Sequence, residues 1–240
     1  MLDISLIPTF AQTHAVPTLL AMRALVTGGS GRIGTVVAER LRAAGWSVIA
    51  AGRVDGDLAR PEAAHNLVQR AVGELGGLDL LVNAAGEGFV PKPVEEVTEA
   101  DWDAAFGVTA KGSFFVTQAA APHLRETHGV VLMIEDVAAY QPWPSFAAHS
   151  AAKAAQAMLT RIFARALAPE VRVCGIAPGP VVVERGQENR RAAETLLGRI
   201  GSPDDVADAV LYLIRAEFVT GTSLVVDGGR LLQTERQPES

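Results

Sequence analysis

With 240 residues, 49% of them hydrophobic and 20% charged, the chain has enough apolar material for one sizeable α/β core and no compositional sign of disorder or a fibrous repeat. Its formal net charge of -6 excludes the clustered Lys and Arg of a phosphate-tracking surface, so no nucleic-acid partner is expected. No apolar run approaches the roughly 18 residues that cross a bilayer, and no membrane partner is expected either. The single cysteine, Cys174, lies in an apolar run and reads as a buried thiol in a reducing compartment, hence a cytoplasmic protein.

Residues 1–21 lack a basic leader and carry Pro8 and Pro17, so they make a poor secretory signal. They are expected to be a mobile extension ahead of one domain over 22–240. Strand-length apolar runs follow at 22–27, 46–51, 78–82, 129–134, 171–176 and 223–226, alternating with segments of helical period. Continuous apolar strands between helices predict a three-layer, doubly wound α/β fold of Rossmann type with a parallel sheet. Ligands of such sheets bind at the carboxyl ends of the strands, and no metal site is expected.

The first strand runs into "TGGSGRIG", Thr27 to Gly34. Gly29, Gly31 and Gly34 match G-x-G-x-x-G between a strand and a helix, with Thr27, Gly28, Ser30, Arg32 and Ile33 completing the turn. Glycines allow close approach to a pyrophosphate, and the first turn of the helix offers free N-H groups. The bland alternative is a tight connection. After the second strand, Ala50-Ala51-Gly52-Arg53 supplies no carboxylate for a ribose 2'-hydroxyl and places Arg53 nearby. Arg32 and Arg53 together are expected to pair with a 2'-phosphate, which favours NADP(H); solvated arginines are the alternative.

Between this strand and the next there is room for one helix, 61–75, where a full unit would place a helix, a strand and another helix. The edge of the sheet is therefore expected to be trimmed, with Asp55 to Leu58 as the remnant of a strand and adenosine recognition simplified.

From "TGGSGRIG" through "LVNAAG" (81–86), "HSAAK" (149–153), "APGPV" (177–181) and "VTGTSLVVDGG" (219–229), the chain resembles a short-chain dehydrogenase/reductase. The resemblance covers residues 22 to about 231. It implies that Asn83, Ala84, Ala85 and Gly86 shape the loop beside the adenine, that Asp57 approaches the adenine, and that Pro178, Gly179 and Val181 border the nicotinamide. Lys153 would hold the nicotinamide ribose and help set the proton donor's pKa. The family's catalytic serine aligns with Asp136, its tyrosine with His149 and its helix asparagine with Thr109, so of the usual four only Lys153 is kept.

Arg32 at the middle glycine of the turn, Asp136, Gln141-Pro142, Phe89 and Pro91 are similar to the pteridine reductase and dihydromonapterin reductase branch. That likeness implies a small C=N or C=O substrate such as a dihydropterin, with Phe89 stacking on its ring; a core or lid aromatic explains Phe89 equally well. In place of the tyrosine, His149 as imidazolium would donate the proton, favoured by Asp136 and opposed by Lys153 one turn later. The segment 181–202 leaves room only for a small lid, with Arg185, Arg190, Arg191 and Glu184 read as a solvated face. A 3-oxoacyl thioester reductase and a non-catalytic NADP(H)-binding protein remain open. The resemblance also implies a homodimer or homotetramer paired through helices 111–127 and 147–168.

Overall fold

The structure, a computed structural model, describes residues 22–88, 90–183 and 185–233. The expected extension over 1–21 and the expected role of Phe89 lie outside the described residues.

In chain order the elements are β1 (Arg23–Thr27), α1 (Arg32–Ala43), β2 (Ser47–Ala51), α2 (Pro61–Leu75), β3 (Leu80–Asn83), α3 (Glu99–Phe106) and α4 (Ser113–Thr127). They continue with β4 (Val130–Ile134), α5 (Ala147–Leu167), β5 (Arg172–Pro178), α6 (Glu188–Ala193), α7 (Pro203–Arg215) and β6 (Ser223–Val226). The six strands form one sheet in the order β2-β1-β3-β4-β5-β6, parallel at every pairing. This is the expected three-layer α/β fold.

The strands are apolar throughout because both faces are covered. Leu25, Leu81, Val131 and Met133 pack with residues of α2, α4 and α5, while Ala24, Val26, Leu80, Val82, Leu132 and Ile176 pack with α1 and α7 on the other face. Burying each of the larger side chains contributes about 1.5–3 kcal/mol, so the central strands anchor the fold. Cys174 belongs to the second of these clusters, and burial pushes its thiol up. Arg172 fastens β5 to the end of α7 by donating to the carbonyls of Leu213, Ile214 and Ala216 at 3.0, 2.8 and 3.1 Å.

The helices carry their own start signals. Pro61 opens α2 and Pro203 opens α7, where proline's missing N-H is not needed. Ser202 and Asp205 form a reciprocal cap on α7, and Arg199 beside Asp205 helps pull that carboxyl down to about 2.

The trimmed edge is real, but the strand remnant is not. Arg53–Asp55 forms a 3-10 turn instead. The Asp55 carboxylate accepts from Gly52 N at 2.8 Å and from Arg70 at 2.6 Å, and Asp57 Oδ1 accepts from Ala59 N at 3.0 Å. Short-range side-chain bonds thus fold the backbone back before it can extend.

The chain runs from β1 out to β2, then returns past β1 to β3. The crevice where strand order reverses opens between β1 and β3, above the glycine turn.

Candidate active site

At the end of β1, Gly28 adopts φ +67, and a Cβ there would stand 2.5 Å from Ala84 O. Only glycine lets the turn press this closely against the loop after β3, where Ala85 N donates to Thr27 Oγ1 at 3.3 Å. Helix α1 then starts with Gly31 as its cap, with no side-chain cap and no acidic residue in its first turn. The amides of that turn face the crevice with nothing of the chain's own to neutralise them, which fits a dinucleotide's pyrophosphate. Asn83 holds the floor: its Nδ2 donates to Thr117 Oγ1 at 3.0 Å and to Met133 Sδ at 3.4 Å, tying β3 to α4 and β4.

The two arginines expected to share a 2'-phosphate do not converge. Arg53, beyond β2, pairs with Glu87 Oε1 at 2.7 Å, whereas Arg32 Nη1 donates to Val183 O at 3.4 Å. Val183 follows β5, and β5 and β2 lie on opposite sides of β1. Arg32 therefore leans toward the other end of the crevice. Asp57 is exposed beside the trimmed edge.

A second set of residues gathers at the mouth of β4. Asp136 caps the short turn Val137–Ala139 by accepting from Ala138 N at 2.8 Å through Oδ1, which leaves Oδ2 3.5 Å from His149 Nε2. His149 sits buried in the first turn of α5, and Lys153 lies one turn further on the same face. Lys153 Nζ donates to Ile134 O at 2.7 Å and to Gln156 Oε1 at 3.0 Å, and Gln156 in turn donates to Ser113 Oγ at 2.9 Å. Burial pushes the Lys153 ammonium down, while the charges of Asp136 and Glu135 oppose that shift.

Thr109 lies buried in a π-helical stretch, Gly107–Gly112, that interrupts the run from α3 into α4. A Cβ on Gly86 would stand 3.8 Å from Thr109 Oγ1, so this hydroxyl shares the wall of the crevice with the loop after β3. Such insertions cluster at functional sites because they turn a side chain off the helical register. The sequence pattern placed a continuous helix from 111 and gave no sign of the interruption. Pro178 ends β5, Gly179 and Val181 follow it, and Gly179 N donates to Val226 O at 2.9 Å, which closes the far side.

Two groups escaped the sequence reading. Glu135, next to Asp136 at the strand mouth, is 1% exposed and continues the face of Val131 and Met133. Its two oxygens accept from Thr160 Oγ1 and Tyr140 Oη, both at 2.7 Å, and a Cβ on Gly175 would overlap Oε1. The lone glycine in "VCGI" was the available signal, since glycine inside an apolar strand marks a close approach. Tyr140 is pushed up to about 12, first by burial and then by its bond to Glu135.

The second group is Arg230, which stacks over the Trp143 ring at 4.6 Å and pairs with Glu194 at 2.8 Å. Arg191 reaches the same carboxylate at 3.0 Å and is half-buried, so it is not a member of a solvated face; Arg190 is. Among the described residues no group of three or more His, Cys, Asp or Glu side chains is placed to hold a metal, and no helix is long and apolar enough to cross a membrane.

A parallel sheet with a glycine turn at its reversal point and a Lys-bearing helix over β4 defines a doubly wound α/β protein built around a dinucleotide crevice. Residues 36–230 match the family profile described as "Enoyl-(Acyl carrier protein) reductase". The chain is 33% identical to 3beta-hydroxysteroid dehydrogenase 1 of Eggerthella lenta, covering 87% of this chain and 93% of that protein. It is also 33% identical to the 4-formylbenzenesulfonate dehydrogenase of Comamonas testosteroni, covering 86% of this chain and 96% of that one. Among solved structures, 3-ketoacyl-(acyl-carrier-protein) reductase from Brucella melitensis, complexed with NADH, superposes with a TM-score of 0.83 at 27% identity, covering 88% of this chain and 99% of its own. The chain belongs to the short-chain dehydrogenase/reductase family of oxidoreductases.

Proposed function

We propose that this protein is an NADP(H)-dependent reductase that delivers hydride to a small C=N or C=O group, with a dihydropterin as the leading substrate class. The observation that carries the reading is the Asp136–His149 contact at 3.5 Å beside Lys153, at the strand end that faces the crevice.

Nicotinamide, when bound, supplies the hydride; the chain must supply a proton and hold the acceptor in place. The first-turn amides of α1, Arg32 to Gly34, would hold the pyrophosphate, Arg32 would take a phosphate oxygen, and Arg53 would take the 2'-phosphate. Asn83 to Gly86 would shape the adenine side, Pro178 and Gly179 would border the nicotinamide ring, and Lys153 would hold the adjoining ribose. His149 would supply a proton to the substrate nitrogen or oxygen once a bound nicotinamide had given hydride to the adjoining carbon, with the Asp136 carboxylate facing it as counter-charge. Thr109 bounds the pocket on the α4 side. The pterin class rests on the sequence likeness of Arg32, Asp136 and Gln141-Pro142 to the pteridine reductase branch.

Residues 22–240 act as one cytoplasmic domain in this reading and pair with a second copy through α4 and α5, with Met158 and Ile162 exposed on α5. A second reading, reduction of a 3-oxoacyl thioester, is favoured by the likeness to the Brucella melitensis enzyme.

The test is NADPH oxidation followed by absorbance with 7,8-dihydropterin and, in parallel, with a 3-oxoacyl thioester. Turnover of the pterin supports the first reading and turnover of the thioester alone the second. NADPH binding without turnover of either would mean that the fold keeps the nucleotide without this chemistry.

A further inference from the structure

Glu87 has no part in the mechanism above, yet it sits in the path of the nucleotide. It lies four residues beyond β3, and its Oε1 accepts from Arg53 Nη2 at 2.7 Å, two residues beyond β2. Because β1 runs between β2 and β3, this ion pair spans the carboxyl end of β1, where the glycine turn begins. The adenosine half of a dinucleotide must cross that line to reach β2.

The two partners differ in freedom. Arg53 keeps 79% of its side chain exposed against 32% for Glu87, so the carboxylate is the seated partner and the guanidinium the one able to swing. Asp55, the next acid toward β2, is committed to Gly52 N and Arg70. Glu87 is thus the carboxylate that Arg53 answers to. A 2'-phosphate has to take Arg53 away from it and then faces its negative charge across the same short gap. A 2'-hydroxyl meets neither penalty and finds an acceptor.

We propose that Glu87 is a cofactor-selectivity residue: it holds Arg53 back from a 2'-phosphate, so the chain separates NADPH from NADH less sharply than Arg53 alone would. The inference rests on the NADP(H) reading and narrows it to one competing side chain.

The experiment is a double-mutant cycle on the full chain, with dissociation constants for NADPH and NADH measured by nicotinamide fluorescence in the parent, Glu87→Gln, Arg53→Ala and the double variant. Glu87→Gln is expected to tighten NADPH about fivefold, the scale of an exposed ion pair, while NADH changes less than about twofold. In the Arg53→Ala background the same substitution is expected to have no such effect, because the competition is over that guanidinium. NADPH affinity that is unchanged or weaker in Glu87→Gln overturns this inference and leaves the function standing. A parent protein that binds neither nucleotide overturns both.

Discussion

The glycine turn after β1 and the mouth of β4 are built from different materials. The turn works through backbone: Gly28 pressed on Ala84, Gly31 capping α1, and amides left unclaimed. The mouth works through side chains that arrive from separate elements, with Asp136 after β4, His149 and Lys153 on α5 and Thr109 in the π-helical stretch. A backbone site needs only that certain positions carry no side chain, as Gly28 and Gly34 do here, where a Cβ would meet backbone at under 3 Å. A side-chain site depends on residues that must meet from distant points of the chain, and here Asp136, His149, Lys153 and Thr109 come from three separate segments.

The sharpest way to separate the two regions is His149→Phe. Turnover of whichever acceptor is reduced should fall roughly a thousandfold, the usual worth of a positioned general acid, with NADPH affinity held within about twofold. Loss of both together would break the comparison.

Gly28→Val should do the reverse damage, destabilising the fold by about 3 kcal/mol through the clash with Ala84 and the positive φ, and abolishing nucleotide binding. Thermal unfolding beside NADPH titration reads both. Behind the mouth, Thr160→Val leaves Glu135 Oε1 buried without its hydroxyl and should cost about 2 kcal/mol in urea unfolding, more than a solvent-facing threonine would.

The smallest expected effect is alkaline. Tyr140 is held near 12 in the fold against 10.0 for an ordinary tyrosine, so the folded state keeps a proton that the unfolded chain gives up. Its contribution is whole below pH 10 and is lost as pH rises from 10 toward 12. Because the ring is 39% exposed, the loss is on the order of 1 kcal/mol, and Tyr140→Phe should flatten that limb of the stability curve.

What was legible in the sequence follows the same division. Fully buried strands write themselves as apolar runs, and α2 and α7 begin at their prolines, so sheet and layers could be read in order. The glycine turn was legible because its spacing is local. The strand remnant at 55–58 misled because two aspartates turned their carboxylates onto nearby amides, a choice that composition does not reveal. Arg32 and Arg53 were paired on charge alone, whereas the direction of a long side chain depends on which carbonyl or carboxylate waits at its tip. Glu135 was hidden for a related reason: its partners Thr160 and Gly175 lie 25 and 40 residues away, and nothing in "IED" says which acid turns inward.

The trimmed edge makes β2 the outermost strand, with one rail of its N-H and C=O groups facing no neighbour in the sheet. Such a rail is a template on which another extended chain can polymerise. This strand is only five residues long, and the Arg42 guanidinium already takes its Val48 carbonyl at 3.1 Å. A charged side chain thus stands as gatekeeper where a seventh strand would have lain, and Arg42 is the residue whose loss would first turn a soluble border into an aggregation seam.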